Sequence, residues 1–141
     1  MDELYREYLL DHYKNPHNKG TIKNPDVHKH DINISCGDEI EIYAKIHDGV
    51  VKDVKFEGKG CVICMASASI LTDEIVGKKI TEVQAMGTDE LLSIIGLKLT
   101  PTRIKCAMLP LVTIKKGIID YESKHDDKDV KSKQLKNTED E

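Results

Sequence analysis

Between Glu39 and Ile46 the chain alternates without a break. Ile40, Ile42, Ala44 and Ile46 share one face, and Glu39, Glu41, Tyr43 and Lys45 share the other. A period of two predicts a half-buried antiparallel strand. Asp48-Gly49 follows as a hairpin turn signal, and a partner strand over about 50–57 puts Val54 and Phe56 on one face. Residues 28–34 supply a third strand. After Gly58-Lys59-Gly60 the period changes: Cys64, Ala68, Leu71 and Ile75 lie at i, i+4, i+7 and i+11, one face of a helix over about 62–76, with Gly77 as its stop. Short helices fit 80–86 and 88–95. A last helix over about 102–120 carries Ile104, Met108, Leu111, Lys115 and Ile118 on a stripe widened by Ala107, Ile114 and Ile119. Pro110 either falls near the first turns of that helix or kinks it. At the other end, residues 2–14 read as a helix with Leu4, Tyr8 and Leu9 on one stripe with His12 or Tyr13; Asn15-Pro16 closes it, and a structured loop runs on to Pro25. Strands first and helices afterwards predict an α+β fold, with helices packed on one face of a small antiparallel sheet.

Composition narrows this picture. The chain has 141 residues, a length that suits one domain. It has no Trp and one Phe, so the core must be aliphatic. Asp, Glu and Lys make up twelve of the 21 residues of 121–141, where Val130 and Leu135 are the only aliphatics. Such a segment buries too little surface to offset its ordering entropy, so the folded domain is expected over 1–120 and a disordered tail over 121–141. The formal net charge of −4 argues against nucleic acid as the partner. No apolar run is long enough to span a membrane. The acidic, helix-like amino terminus lacks the basic and apolar segments of a signal peptide, which leads to a cytoplasmic expectation.

Four cysteines in a reducing compartment are poor material for a disulfide framework, so metal binding, catalysis or packing must account for them. Cys36 sits in Ser35-Cys36-Gly37-Asp38, a turn between two predicted strands with a carboxylate two residues away; it is either a ligand or nucleophile, or a small turn residue. Cys61 follows Gly60 and opens a helix, where unpaired N–H groups and the positive dipole end attract anions. Cys64 completes a C-x-x-C but falls on the apolar stripe, so it is expected to be a core thiol. Cys106 follows Arg103 and Lys105 and, two residues past Ile104, is expected to point away from the core. The six His show no metal-site spacing and are expected at the surface. If Cys36, Cys61 and Cys106 converge, they form a three-thiolate site with Asp38 as a fourth ligand, suited to an iron–sulfur cluster or zinc. A carboxylate is a hard, mismatched ligand for cluster iron and would favour release.

These same residues carry a resemblance. Tyr5 to Gly20 (YREYLLDHYKNPHNKG), Ser35-Cys36-Gly37-Asp38, Gly60-Cys61 with MASAS at 65–69, and Arg103-Ile104-Lys105-Cys106-Ala107 occur in the order found in iron–sulfur cluster assembly scaffolds of the IscU/SufU type, the family of the NifU amino-terminal domain. The likeness covers about residues 3–120. It implies a three-stranded antiparallel sheet with helices packed on it. It implies that Cys36, Asp38, Cys61 and Cys106 receive sulfur as persulfide from a pyridoxal-phosphate cysteine desulfurase, hold a transient [2Fe–2S] cluster, and hand it to apo iron–sulfur proteins or carriers. Cys106 matches the persulfide acceptor of the IscU branch and Cys36 that of the zinc-dependent SufU branch, so both stay candidates. Tyr5 matches an aromatic linked to self-association, so a monomer or weak homo-oligomer is implied. The chain departs from the IscU pattern at Lys105, where that branch has His, in the chaperone-docking segment before it, and at His17, where Arg is usual. It departs from SufU in lacking an insertion between Cys61 and Cys106. Three readings follow: a cluster scaffold, a zinc-dependent sulfur acceptor holding Zn²⁺ on the same four residues, or a redox pair at Cys61 and Cys64.

Overall fold

The structure, a computed structural model, describes residues 3–34, 37–96 and 99–133. Cys36 and Ser35 lie outside the described residues. Three antiparallel strands, β1 (Val27–Asn33), β2 (Asp38–His47) and β3 (Val50–Lys59), form one sheet in the order β1-β2-β3. Ile40, Ile42, Ala44 and Ile46 all point inward, as their alternation predicts. They pair across to β3 with Ile42 opposite Phe56 and Ala44 opposite Val54. A register shift at Lys45/Ile46 adds one residue to β3, so that Val51 and Val54, three apart, both reach the core. The hairpin between them turns on Asp48 and Gly49, both at positive φ (55° and 73°).

The helices α1 (Glu3–Lys14), α2 (Val62–Ile75), α3 (Ile80–Ala85), α4 (Thr88–Ile95) and α5 (Pro101–Lys133) complete the fold. α2 and α5 pack on the sheet and on each other, and α1 packs on the outer side of α2. The architecture is therefore the expected α+β arrangement. Among the described residues no helix is long and apolar enough to cross a membrane.

α2 is buried on nearly every side. Cys64, Ala68, Leu71 and Ile75 face inward as predicted, but Ala66, Ser67, Ser69, Ile70 and Thr72 are buried too. Small residues let two helices and a strand approach at once. Their hydroxyls are all engaged: Ser67 Oγ donates to the Ala107 carbonyl (2.7 Å) and Thr72 Oγ1 to the Ser69 carbonyl (2.9 Å). Ser69 Oγ meets His12 Nδ1 at 2.7 Å and accepts the His17 backbone N–H at 2.7 Å. His12 is consequently buried, contrary to the expectation for the histidines. On α1 the inward stripe is Leu9 and His12, whereas Leu4 is 77% exposed.

α5 buries two stripes rather than one. Of the expected stripe, Ala107, Leu111, Ile114 and Ile118 are buried and Ile104, Met108 and Lys115 half-buried; a second stripe of Cys106, Pro110, Thr113 and Gly117 is buried as well. The second stripe escapes a search for large apolar residues because its members are small or polar. It exists because α5 lies between the sheet and α2 and so has two neighbours. Cys106, expected to face away from the core, is thus buried, and Ile119, expected inward, is exposed. Pro110 stands well inside the helix, not in its first turns. The helix also runs beyond 120 to Lys133, carrying 121–133, which composition assigned to the tail. At the expected boundary Lys29 Nζ pairs with Asp120 at 2.8 Å, and Tyr121, one residue beyond it, rests on the core. Lys116 pairs with Asp31 at 2.9 Å, so β1, with few inward apolar residues, is held to α5 partly by charge.

Two expectations follow. A Cβ at Gly117 would lie 2.6 Å from Val27 Cγ1 and 3.2 Å from Lys29 Cβ. Ala favours helix by about 1 kcal/mol over Gly, but overpacking here costs about 1–3 kcal/mol. Gly117→Ala is therefore expected to lower stability in urea unfolding; an unchanged or raised midpoint would show that α5 can shift off β1. For His12, burial first and then the charge of His17 hold the imidazole below its usual range, against the opposing pull of Asp73 and Asp11. The unfolded chain then binds more protons than the native one below the ordinary His range. The stability from neutral His12 is complete above pH 6.5 and is lost as pH falls toward the depressed value. His12→Asn should flatten the decline of unfolding free energy between pH 7 and 5, and identical slopes for parent and variant would refute this.

Candidate functional site

The inward face of β2 is apolar from Ile46 back to Ile40 and then ends in Asp38, which is 2% exposed. Alternation alone puts it there: Asp38 is two residues before Ile40, so the pleat sends its carboxylate to the core side. At that edge the sheet meets the start of α2. Cys61 is the N-cap of α2, with extended backbone and a sulfur that accepts the Cys64 N–H at 3.5 Å. Its own backbone N–H donates to Asp38 Oδ1 at 3.0 Å, and its thiol lies 3.4 Å from Asp38 Oδ2. One carboxylate thus bonds both the backbone and the sulfur of the helix cap.

Gly60 makes this contact possible. A Cβ there would lie 2.8 Å from Asp38 Oδ1. Cys106 arrives from the small-residue stripe of α5. Asp38, Cys61 and Cys106 each offer a donor atom within 4.8 Å of the other two. Asp38 and Cys106 are buried and Cys61 is half-buried. The set is therefore sheltered but open at Cys61. A cavity of about 350 Å³, lined by Tyr13, Pro16, Gly60 and Met65 among others, opens beside it.

Of the four residues singled out in the sequence, three meet here, and Cys36 lies outside the described residues. Its neighbour Gly37 is described, at φ 77° just before Asp38. Cys64 is fully buried among the core side chains, in keeping with its place on the apolar stripe. Two thiols and a carboxylate at this spacing fit a thiophilic metal: closing the donors around one ion takes movements of about 1 Å, given Zn–S bonds of ~2.3 Å. The sequence reading missed His12 and His17, which meet Ser69 and Asp73 of α2. Their legible signals were the place of His12 on the α1 stripe with Leu9 and His17 where the resemblance leads one to expect Arg.

The family model described as the NifU-like N terminal domain matches residues 4–128. The chain is 37% identical over 135 residues to the zinc-dependent sulfurtransferase SufU of Bacillus subtilis, covering 84% of this chain and 91% of that protein. It is also 37% identical over 133 residues to the iron–sulfur cluster assembly scaffold protein IscU of Thermotoga maritima, covering 82% and 92%. In fold it is similar to the crystal structure of an N-terminal NifU-like protein from Brucella abortus, with a TM-score of 0.72, 22% identity, and coverage of 87% and 97%. The chain belongs to the NifU-like N-terminal domain family.

Proposed function

We propose that this protein is an iron–sulfur cluster assembly scaffold. It accepts sulfur from a cysteine desulfurase, builds a transient [2Fe–2S] cluster on Cys36, Asp38, Cys61 and Cys106, and passes it to apo-proteins. The observation that carries the reading is the convergence of Asp38, Cys61 and Cys106 at the open end of α2. The IscU name of a relative 37% identical over most of the chain supports it.

The chemistry follows from the donors. A thiolate of the site attacks the outer sulfur of the desulfurase persulfide, and the desulfurase thiolate leaves; no net oxidation occurs. Turning that sulfur into sulfide takes two electrons from an outside donor. Iron and sulfide are the cargo. Thiolates bind cluster iron well, whereas the carboxylate of Asp38 is a harder and poorer partner. Asp38 also keeps one carboxylate oxygen on the Cys61 N–H, which leaves only the other for the iron. Both features favour release over permanent tenure.

The SufU name of the other relative supports a second reading, in which the same residues hold Zn²⁺ and the protein acts as a sulfurtransferase toward the desulfurase. Zinc, when bound, keeps its cysteine ligands as thiolates at neutral pH. In that reading Asp38 positions Cys61 by its backbone hydrogen bond, and Cys36 or Cys106 takes the sulfur.

Anaerobic incubation with a cysteine desulfurase, cysteine and ferrous iron separates the two. The scaffold reading expects visible charge-transfer bands with equal iron and labile sulfide. Serine at Cys36, Cys61 or Cys106 should cut the yield about ten-fold or more. Retained zinc with faster desulfurase turnover and no cluster would shift the conclusion to the sulfurtransferase. For Asp38→Ala the expectation is a longer-lived cluster, followed as the decay of its visible absorption on exposure to an apo-acceptor; faster decay than the parent's would overturn the role given to Asp38.

A further inference from the structure

At the other end of α2, two imidazoles and a carboxylate converge. His12 on α1, His17 in the loop that follows and Asp73 in the last turn of α2 each offer a donor atom within 4.8 Å of the others. We propose that His12, His17 and Asp73 form a second, sulfur-free site for a borderline divalent transition metal, for which Zn²⁺ is the probe.

The donors are already oriented by neighbours, as metal-ligating side chains usually are. The His12 ring is held by Ser69 Oγ at 2.7 Å, and the His17 backbone by the same hydroxyl at 2.7 Å. Asp73 Oδ1 accepts Asn18 Nδ2 at 2.9 Å, which leaves Oδ2 against His17 Nδ1 at 2.6 Å. The two rings lie 4.5 Å apart between centroids. Drawing all three donors onto one ion at ~2.0–2.2 Å takes rotations of about 1 Å in reach. The movable partners are the exposed ones: the side chains of His17 and Asp73 are 48% and 46% exposed. The ion would take the place of the His17–Asp73 hydrogen bond. Imidazole with carboxylate suits zinc, copper, nickel and iron more than magnesium or calcium. The setting also favours a cation: this is the carbonyl end of α2, whose last turn carries no basic residue. Asp73 is twelve residues along α2 from Cys61, about 18 Å at 1.5 Å per residue, so the two donor sets cannot share an ion. Bound metal would clamp α1 and its loop to α2.

The test is the stoichiometry of zinc binding to the full reduced chain, by competition with a chromophoric chelator. The parent is compared with His17→Gln and Asp73→Asn, both at exposed positions, and with His30→Gln as a histidine outside the cluster. Folding is checked by circular dichroism. The expected result is one equivalent fewer for each of the first two variants and no change for His30→Gln. Because the reading is a difference, it holds whether or not the cysteine site takes zinc. Equal counts for the parent and the two cluster variants would overturn the proposal. So would an equal loss in His30→Gln, which would mark scattered surface histidines as the binders.

Discussion

Burial of α2 on nearly every side is the constraint on which the rest of the molecule depends. A helix in that position can carry only small residues where α5 and α1 come close, and the run Ala66-Ser67-Ala68-Ser69 supplies them. The cost of burying hydroxyls is offset because each finds a partner. Ser67 holds the α5 backbone at Ala107, and Ser69 holds both His12 and the His17 backbone. No buried side-chain nitrogen or oxygen among the described residues lacks a partner. The hydroxyls that make α2 small enough to be central are thus also the ones that fix the position of its neighbours.

The two proposed sites lie at the two ends of this central helix. At its amino end, unpaired N–H groups need acceptors, and Asp38 and the Cys61 sulfur provide two. The same carboxylate that caps the helix therefore stands where a metal-bound cargo would be held. On the proposed reading, one oxygen of Asp38 caps the helix and the other is left for the cargo. The burial of Cys106 and Asp38 shields the site from water on the core side, leaving half-buried Cys61 as its open approach.

At its carboxyl end the donors are nitrogen and oxygen. Sulfur donors at one end and imidazole with carboxylate at the other select by ligand softness, not by raw affinity. The proposed roles differ accordingly: a cargo site whose carboxylate favours release, and a clamp that joins α1 and its loop to α2. His17 is the residue that distinguishes this chain there, since it stands where the resemblance leads one to expect Arg.

Much of this was legible along the chain because strands and helices impose local periods. The strict alternation from Ile40 to Ile46 predicted β2 and its inward face, and Cys64 to Ile75 predicted α2, since each depends only on neighbours two to four residues away. Cys36, Asp38, Cys61 and Cys106 were picked out by motif and local setting. What one-dimensional pattern could not supply was the number of neighbours each helix meets. Helix α5 touches both the sheet and α2, so Cys106, Pro110, Thr113 and Gly117 form a second buried stripe and Cys106 faces inward instead of out. His12 looked like a surface histidine because its partner, Ser69, is 57 residues away. The sequence by itself determined the elements and the kinds of donor atoms. Only the tertiary structure decided which donors meet, because contacts between distant residues depend on how the elements stack around α2.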